Sequence, residues 1–156
     1  MRPPTLDELG LLEALRAHVA QMSGANDSLH MTINAVPEPL PPLPAAVEVA
    51  AYRIALEAVT NVIRHAQART CRVRFVIDAN QQPSTLVVTV TDDGVGLPAN
   101  LHSGVGLSSL RERAAELGGS CTIGSNPGGG AQVSAVLPFS AATQTKSALD
   151  SRGLVD

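Results

Sequence analysis

The sequence predicts an α+β protein, a two-layer α/β sandwich in which one mixed β-sheet carries helices on one face. Two observations lead to this prediction. Strand-like alternation and helical spacing succeed each other along the chain, and two late strand-like segments are joined by a glycine-rich turn as a hairpin. The alternation is also too irregular for a doubly wound sheet. A GxGxxG-like spacing that begins at Gly104 follows a loop and not a strand, so a dinucleotide site is disfavoured.

Composition narrows the class of protein. The 156 residues suffice for one domain, and a net charge of −3 gives no basic footprint for nucleic acid. Aromatic residues, at 2%, argue against a base-stacking surface. Two cysteines are too few for a zinc cage. We find no signal-peptide pattern, and the apolar run 45–63 carries three charges, so we expect a cytoplasmic chain that is not membrane-inserted.

The first half of the chain is predicted to hold two helices and one strand. Aliphatic residues three and four apart predict a helix over 5–22, and alternation predicts a strand around 29–33. Five prolines between 37 and 44 exclude regular structure there. A long, mostly apolar helix is then expected from Ala45 to Gln67.

The second half is predicted to complete the sheet. Strands are expected at 72–77 and 86–90, followed by a glycine-rich loop over 92–103. A helix over 105–117 should end at Gly118-Gly119, which fits a C-cap. Strands at 121–123 and 132–137 form the closing hairpin, and residues 141–156 read as a mobile tail.

Three segments can carry chemistry, and each also has an ordinary structural interpretation. Glu57, Asn61 and His65 stand four residues apart on the long helix, where they form either a polar wedge beside a cavity or a solvent-exposed stripe. The segment 92–96 places a carboxylate and two glycines after a strand, as a ligand site or a hairpin turn. The segment 104–107 opens a helix, as an anion site or a plain helix start.

Taken together, residues 57–66, 92–96 and 104–107 resemble, in order and spacing, the N, G1 and G2 boxes of the GHKL ATPase superfamily, which has the Bergerat ATP-binding fold. More narrowly, the chain resembles the catalytic and ATP-binding domain of a NarL-type sensor histidine kinase, the nitrate-sensor and desaturase-sensor kind. The flanking segments 2–11 and 110–119 are also similar to this family, so that the resemblance covers residues 1–139.

The resemblance implies roles for residues of the N box. Asn61 matches the Mg²⁺-binding asparagine. Glu57, one turn earlier, matches an acidic or amide residue that orients water in related ATPases, and here we expect it to support the magnesium shell; these two are the expected catalytic residues. Arg64 matches a basic residue that reaches the phosphates of ATP. His65 and Ala66 match positions that line the nucleotide pocket, so His65 is not expected to be phosphorylated.

The resemblance also implies nucleotide contacts in the loops. Asp92 matches the carboxylate that accepts the adenine amino group, and Gly94 and Gly96 let the loop lie against the nucleotide. Leu97 begins a short lid. The phosphate-side turn is matched by Gly104, Val105, Gly106 and Leu107. Ala131 departs from the pattern, because family members usually carry there a threonine whose hydroxyl supports the adenine carboxylate.

The implied function is transfer of the γ-phosphoryl group of ATP to a histidine on a separate dimerisation domain, for relay to a response regulator. The expected organisation is a linker helix over 1–27 that follows a dimerisation domain outside this chain, the catalytic domain over 28–140 and a tail over 141–156. No histidine here has the acidic neighbour of a phosphoacceptor. The alternative is a GHKL ATP-binding regulatory module or an anti-sigma-type serine kinase.

Overall fold

Five strands form one sheet. The computed structural model describes residues 4–23, 29–80, 82–95, 105–125 and 129–140, with the backbone alone at 4–9, 23, 65–66 and 105–107. The strands are β1 His30–Val36, β2 Thr70–Asp78, β3 Ser84–Asp92, β4 Ser120–Ser125 and β5 Ala131–Phe139. Their order in the sheet is β1-β2-β3-β5-β4. Only the β1–β2 pair among them is parallel, so the sheet is mixed, as predicted.

The helices occupy the predicted segments, with one difference at the end of the long helix. They are α1 Pro4–Ser23, α2 Ala45–Asn61 and α3 Val105–Glu116. Residues Val62–Ala66 continue α2 as a π-helical turn, whereas we predicted an α-helix up to Gln67. Gln67 itself has φ 53° and ends the helical segment in the left-handed region. α3 ends as predicted, because the N–H of Gly119 bonds the carbonyl of Ala114 at 2.9 Å and Gly118 has φ +81°.

The core lies between the helices and one face of the sheet. Alternate residues of β2 and β3 are buried, including Phe75 and Val88, which are both fully inaccessible to solvent. Each helix contributes a fully buried side chain to the same cluster, namely Leu15, Ile54 and Leu110. Because buried and less buried residues alternate along these strands, only one face of the sheet packs against the core. The side chains between the buried ones project from the opposite face. The two-layer architecture is therefore confirmed.

The first helix packs onto its own chain, against α2 and β1. It is kinked at Gly10, which has φ 82° and ψ 173°, values that favour glycine. Beyond the kink, the guanidinium of Arg16 donates to the carbonyl oxygen of Ile33 at 2.6 Å and to a carboxylate oxygen of Glu38 at 3.3 Å. The other oxygen of Glu38 accepts the backbone N–H of Ala35 at 3.1 Å. These bonds tie α1 and the proline-rich segment to the outer edge of β1.

Two further expectations concern the C-terminal tail and membrane insertion. The tail predicted over 141–156 lies outside the described residues. Within the part of the chain that is described, no helix is long and apolar enough to span a membrane.

Candidate nucleotide site

Asp92 is a buried carboxylate at the end of β3. It is 4% exposed and, among the residues described, is the only acidic or basic side chain in the buried class. It continues the row of helix-facing residues that includes Val88 and Val90. Its Oδ1 accepts the backbone N–H of Gly94 at 2.8 Å, and no second partner for the carboxylate is found within the described ranges. Since an unmatched buried acceptor is costly, a donor from a ligand would stabilise this group.

The turn before β5 lies directly against Asp92. Gly130 has φ +88°, and a Cβ built there would lie 2.0 Å from the carbonyl oxygen of Asp92 and 2.9 Å from its Oδ1. Ala131, the first residue of β5, is 4% exposed and stands one position beyond the paired residues Thr91 and Gln132. The late glycine turn and Ala131 therefore border the same carboxylate.

Cys71 borders Asp92 from the other side. The two residues are directly paired in the β2–β3 register, and Cys71 is 1% exposed. Burial, with the negative charges of Asp92 and Asp93 as lesser causes, raises the pKa of the Cys71 thiol to about 12. The thiol is thus neutral at physiological pH. Across the sheet, Asp92 lies between the thiol of Cys71 on β2 and the methyl group of Ala131 on β5. Neither group is a strong hydrogen-bond donor.

Asp93 forms hydrogen bonds to another strand, whereas Asp92 bonds only within its own turn among the described residues. Its Oδ1 accepts the backbone N–H groups of Arg69 and Thr70, both at 2.9 Å. Its own N–H bonds the carbonyl of Thr70 at 3.3 Å. These bonds, that from the N–H of Thr70 foremost, hold the pKa of Asp93 below its usual value. Asp93 joins the segment after β3 to the start of β2, while the side chain of Asp92 faces the helix-covered side of the sheet.

The helix with the predicted magnesium ligand packs on the strands that carry Asp92 and Ala131. α2 contacts β3 and β5 on the helix-covered face. Glu57 and Asn61 are half-buried, and Arg64 is exposed. Asn61 is the last α-helical residue before the π-helical turn. Such π-helical turns are frequent at functional sites.

The π-helical turn lies within the predicted row of Glu57, Asn61 and His65. The placement of Glu57, Asn61 and His65 on one face assumed 3.6 residues per turn throughout. That repeat holds between Glu57 and Asn61, but the backbone at His65 and Ala66 belongs to the wider π-helical turn. The place of His65 in the row therefore stays a prediction.

The remaining predicted contacts are only partly described. Gly94 donates to Asp92, as stated above, and lies in the described range, whereas Gly96, Leu97 and Gly104 lie outside it. Val105, Gly106 and Leu107 form the first turn of α3, for which the backbone alone is described. Since unpaired N–H groups concentrate at a helix N-terminus, this turn is suited to an anion such as a phosphate.

A family model identifies the chain. Residues 46–141 match the model for histidine kinase-, DNA gyrase B- and HSP90-like ATPases. The chain belongs to this ATPase family. The matched region begins with α2 and includes Asp92, the turn at Gly130 and all of β5.

Curated relatives of this ATPase domain are sensor histidine kinases. A signal transduction histidine-protein kinase/phosphatase, UhpB of Salmonella typhimurium, is 32% identical over 88% of this chain and 26% of its own length. The sensor histidine kinase YxjM of Bacillus subtilis is 35% identical over 82% of this chain and 30% of its own length. The chain thus spans about a quarter to a third of these relatives. The predicted class, an ATP-binding catalytic domain of a sensor histidine kinase, is confirmed.

Solved structures agree on the fold. The histidine kinase domain of the blue-light activated kinase EL346 from Erythrobacter litoralis has a TM-score of 0.65 at 20% identity, over 88% of this chain and 63% of that chain. The ATP-binding domain of PrrB from Mycobacterium tuberculosis has a TM-score of 0.59 at 20% identity, over 84% of this chain and 93% of that one.

Sequence reasoning missed two residues of the site. Gly130 was noted only as part of a turn, although three consecutive glycines at 128–130 indicate a place where backbone must approach closely. Cys71 enters the sequence analysis only as one of two cysteines that are too few for a zinc cage. Its position beside Asp92 depends on the β2–β3 register, which no local pattern reveals.

Proposed function

We propose that this chain binds Mg-ATP with the adenine amino group on Asp92, and that it supplies the γ-phosphoryl group to a histidine of a dimerisation domain. The observation that carries the proposal is the buried carboxylate of Asp92, which has one described partner, the N–H of Gly94, and therefore acceptor capacity to spare. An exocyclic amine matches that capacity, because a carboxylate can only accept hydrogen bonds.

The residues present also fit a magnesium ion that is bound mainly through the nucleotide. Among the described residues no group of three or more His, Cys, Asp or Glu side chains is arranged to hold a metal. Mg²⁺ usually keeps several waters and takes substrate phosphate oxygens, so one protein ligand is sufficient. The amide oxygen of Asn61 would be that ligand and Glu57 would orient its shell, while Arg64 and the first turn of α3 would hold phosphate oxygens.

The proposed partners follow from the relatives. Two-component sensor kinases combine an ATP-binding domain with a dimerisation domain and act on response regulators. We propose that α1 links this domain to such a dimerisation domain, and that the reaction is cytoplasmic. The regulatory-module and serine-kinase alternatives are less well supported, since the curated relatives named above are sensor histidine kinases.

Calorimetric titration with ATP tests the adenine assignment. Asp92→Asn should abolish measurable binding, because an amide in place of the carboxylate can present a donor to the adenine amine. Asp93→Asn is the matched control. It makes the same chemical change one residue away, and its remaining amide oxygen still accepts from Arg69 and Thr70. Unchanged ATP affinity in Asp92→Asn would refute the assignment.

Phosphoryl transfer is tested by mixing the chain, radiolabelled ATP and a purified dimerisation domain from a related kinase. Acid-labile label should appear on the dimerisation domain and not on this chain alone. Label on a histidine of this chain, removed by His18→Gln, would contradict the proposal. Label on a serine of an added protein would favour the serine-kinase alternative.

A further inference from the structure

The sheet face on which none of the described helices packs, called here the helix-free face, carries a row of four valines. Val36, Val76, Val87 and Val136 are paired one to the next across β1, β2, β3 and β5. Each occupies the position that alternates with a buried, helix-facing residue, so all four project to the side without helices. Val36 is 51% exposed, and the other three are half-buried. This valine row crosses four strands and spans about 14 Å, at ~4.8 Å per strand.

A groove that contains two arginines adjoins the valine row along β2. Arg72 and Arg74 precede Val76 on the same face, and they line a groove of about 570 Å³ together with Thr89 and Thr91. Both arginines are exposed, and neither forms an ion pair or hydrogen bond with any residue that the structure describes. Arg72 and Arg74 are alternate residues of one strand, with Cα atoms about 6.7 Å apart, so their like charges repel and a partner with negative charge would be stabilised here.

Carboxylates lie at the ends of the groove and not between the two arginines. Asp93 lines one end, but the described oxygen Oδ1 is engaged by two backbone N–H groups. The side chain of Asp92 faces the helices and receives the N–H of Gly94. His30 lies at the same end of the groove as Asp93. Positive charge on this face is therefore local to the two arginines, because Asp78, two residues beyond Val76 on β2, places a second carboxylate at the other end of the face.

We propose that this face docks an amphipathic α-helix of a partner polypeptide, with two carboxylates one turn apart and aliphatic side chains beyond them. Residues i and i+4 of a helix are separated by about 6 Å along its axis, close to the ~6.7 Å between alternate residues of a strand. A helix laid along β2 thus sets its carboxylates on Arg72 and Arg74. Its next turn reaches the valine row, so that a second layer of helix covers the open face.

Other occupants match the face less well. A nucleic acid needs a wider basic surface than two arginines, and the chain is acidic with 2% aromatic residues. A symmetric dimer through this face would bring four guanidinium groups into one interface. A polypeptide helix satisfies the apolar row and the two charges together.

The experiment uses the full chain and a synthetic, fluorescein-labelled peptide of about five helical turns, ~18 residues, made from Ala, Leu and Glu. Glu occupies one i, i+4 pair beside a leucine stripe, and a matched peptide carries Gln at those two positions. Binding is measured by fluorescence anisotropy. We expect the Glu peptide to bind at least tenfold more tightly than the Gln peptide, and the Arg72→Glu/Arg74→Glu variant to lose that difference.

The control variant is Arg53→Glu, which reverses an exposed charge on α2, on the opposite side of the sheet. It should bind the Glu peptide like the wild type, and Val87→Thr should weaken binding without changing the charge. Circular dichroism checks that each variant remains folded.

Four results would overturn the proposal. The first is that the Glu peptide does not bind at millimolar concentration, and the second is that the double arginine variant binds it as tightly as the wild type does. The third is that the chain binds phosphatidylglycerol vesicles in an arginine-dependent way and does not bind the peptide. The fourth is that the wild type sediments as a dimer and the double variant sediments as a monomer.

Discussion

Gly130 approaches Asp92 so closely that a methyl group at position 130 would overlap the backbone of Asp92. The built Cβ lies 2.0 Å from the Asp92 carbonyl oxygen and 2.7 Å from its carbonyl carbon. This contact joins the turn before β5 to the carboxylate that we assign to adenine. The position of the nucleotide contact therefore depends on a turn that is 38 residues away in sequence.

Gly130→Ala should destabilise the domain and weaken ATP binding. The φ of +88° costs an alanine about 1–2 kcal/mol, and the overlap with backbone atoms adds to that cost. We expect a loss of more than about 2 kcal/mol in the free energy of unfolding, measured with urea. Gly129→Ala is the control, because its φ is +106° but a Cβ there meets no atom within 4 Å. Equal losses in both variants would mean that the contact with Asp92 does not matter.

Ala131→Thr should tighten ATP binding by up to about tenfold, or ~1.4 kcal/mol. Ala131 stands beside Asp92, and a hydroxyl there can donate to the spare acceptor capacity of the carboxylate. Ala131→Val is the matched control, since valine has the shape of threonine without the hydroxyl. Competition titrations compare the three chains. If both variants bind ATP more weakly, position 131 is a packing position whose 4% exposure leaves no room for a larger side chain.

Asn61→Ala should weaken binding of Mg-ATP by about tenfold, with a smaller effect on ATP in EDTA. The amide oxygen lost from the metal shell acts through the metal, so its removal should weaken ATP binding less when magnesium is absent. Asn34→Ala, an exposed asparagine on the opposite face of the sheet, should change neither affinity. Equal losses for Asn61→Ala with magnesium and with EDTA would indicate a packing defect.

The thiol of Cys71 should make the domain less stable at alkaline pH. Its pKa is about 12 in the folded protein and about 9 in an unfolded chain. The neutral thiol is therefore favoured by folding. The neutral thiol contributes its full share to the free energy of unfolding below about pH 9, and this share is lost as the pH rises toward 12. The limiting slope of the free energy of unfolding is about 1.4 kcal/mol per pH unit.

The measurement is urea unfolding of wild type and Cys71→Ala at several pH values from 8 upward. The variant is expected to be less stable at pH 8 because it leaves a cavity, but its stability should fall less steeply with pH. Parallel pH profiles would show that the thiol titrates alike in the folded and unfolded chains. Cys121 is present in both proteins, so its own titration cancels.

The local patterns predict the elements well and the contacts between them poorly. The alternation of Val73 and Phe75 was sufficient to predict β2, and Gly118-Gly119 to predict the end of α3, because both signals lie within one element. The π-helical turn was missed, since Val62 and Ile63 continue the apolar pattern of α2 without a break. The Asp92 contacts with Cys71 and Gly130 depend on strand pairing between distant segments, for which the local sequence carries no signal.

The bonds of Arg16 and Glu38 to β1 also affect how the sheet behaves at its boundary. An edge strand with unpaired N–H and C=O groups is a template on which another chain can add a strand. At β1 the carbonyl of Ile33 and the N–H of Ala35 are already bound by side chains from α1 and from the proline-rich segment. The charged groups that hold the first helix in place therefore also protect this margin of the sheet from intermolecular aggregation, before any nucleotide or partner is bound.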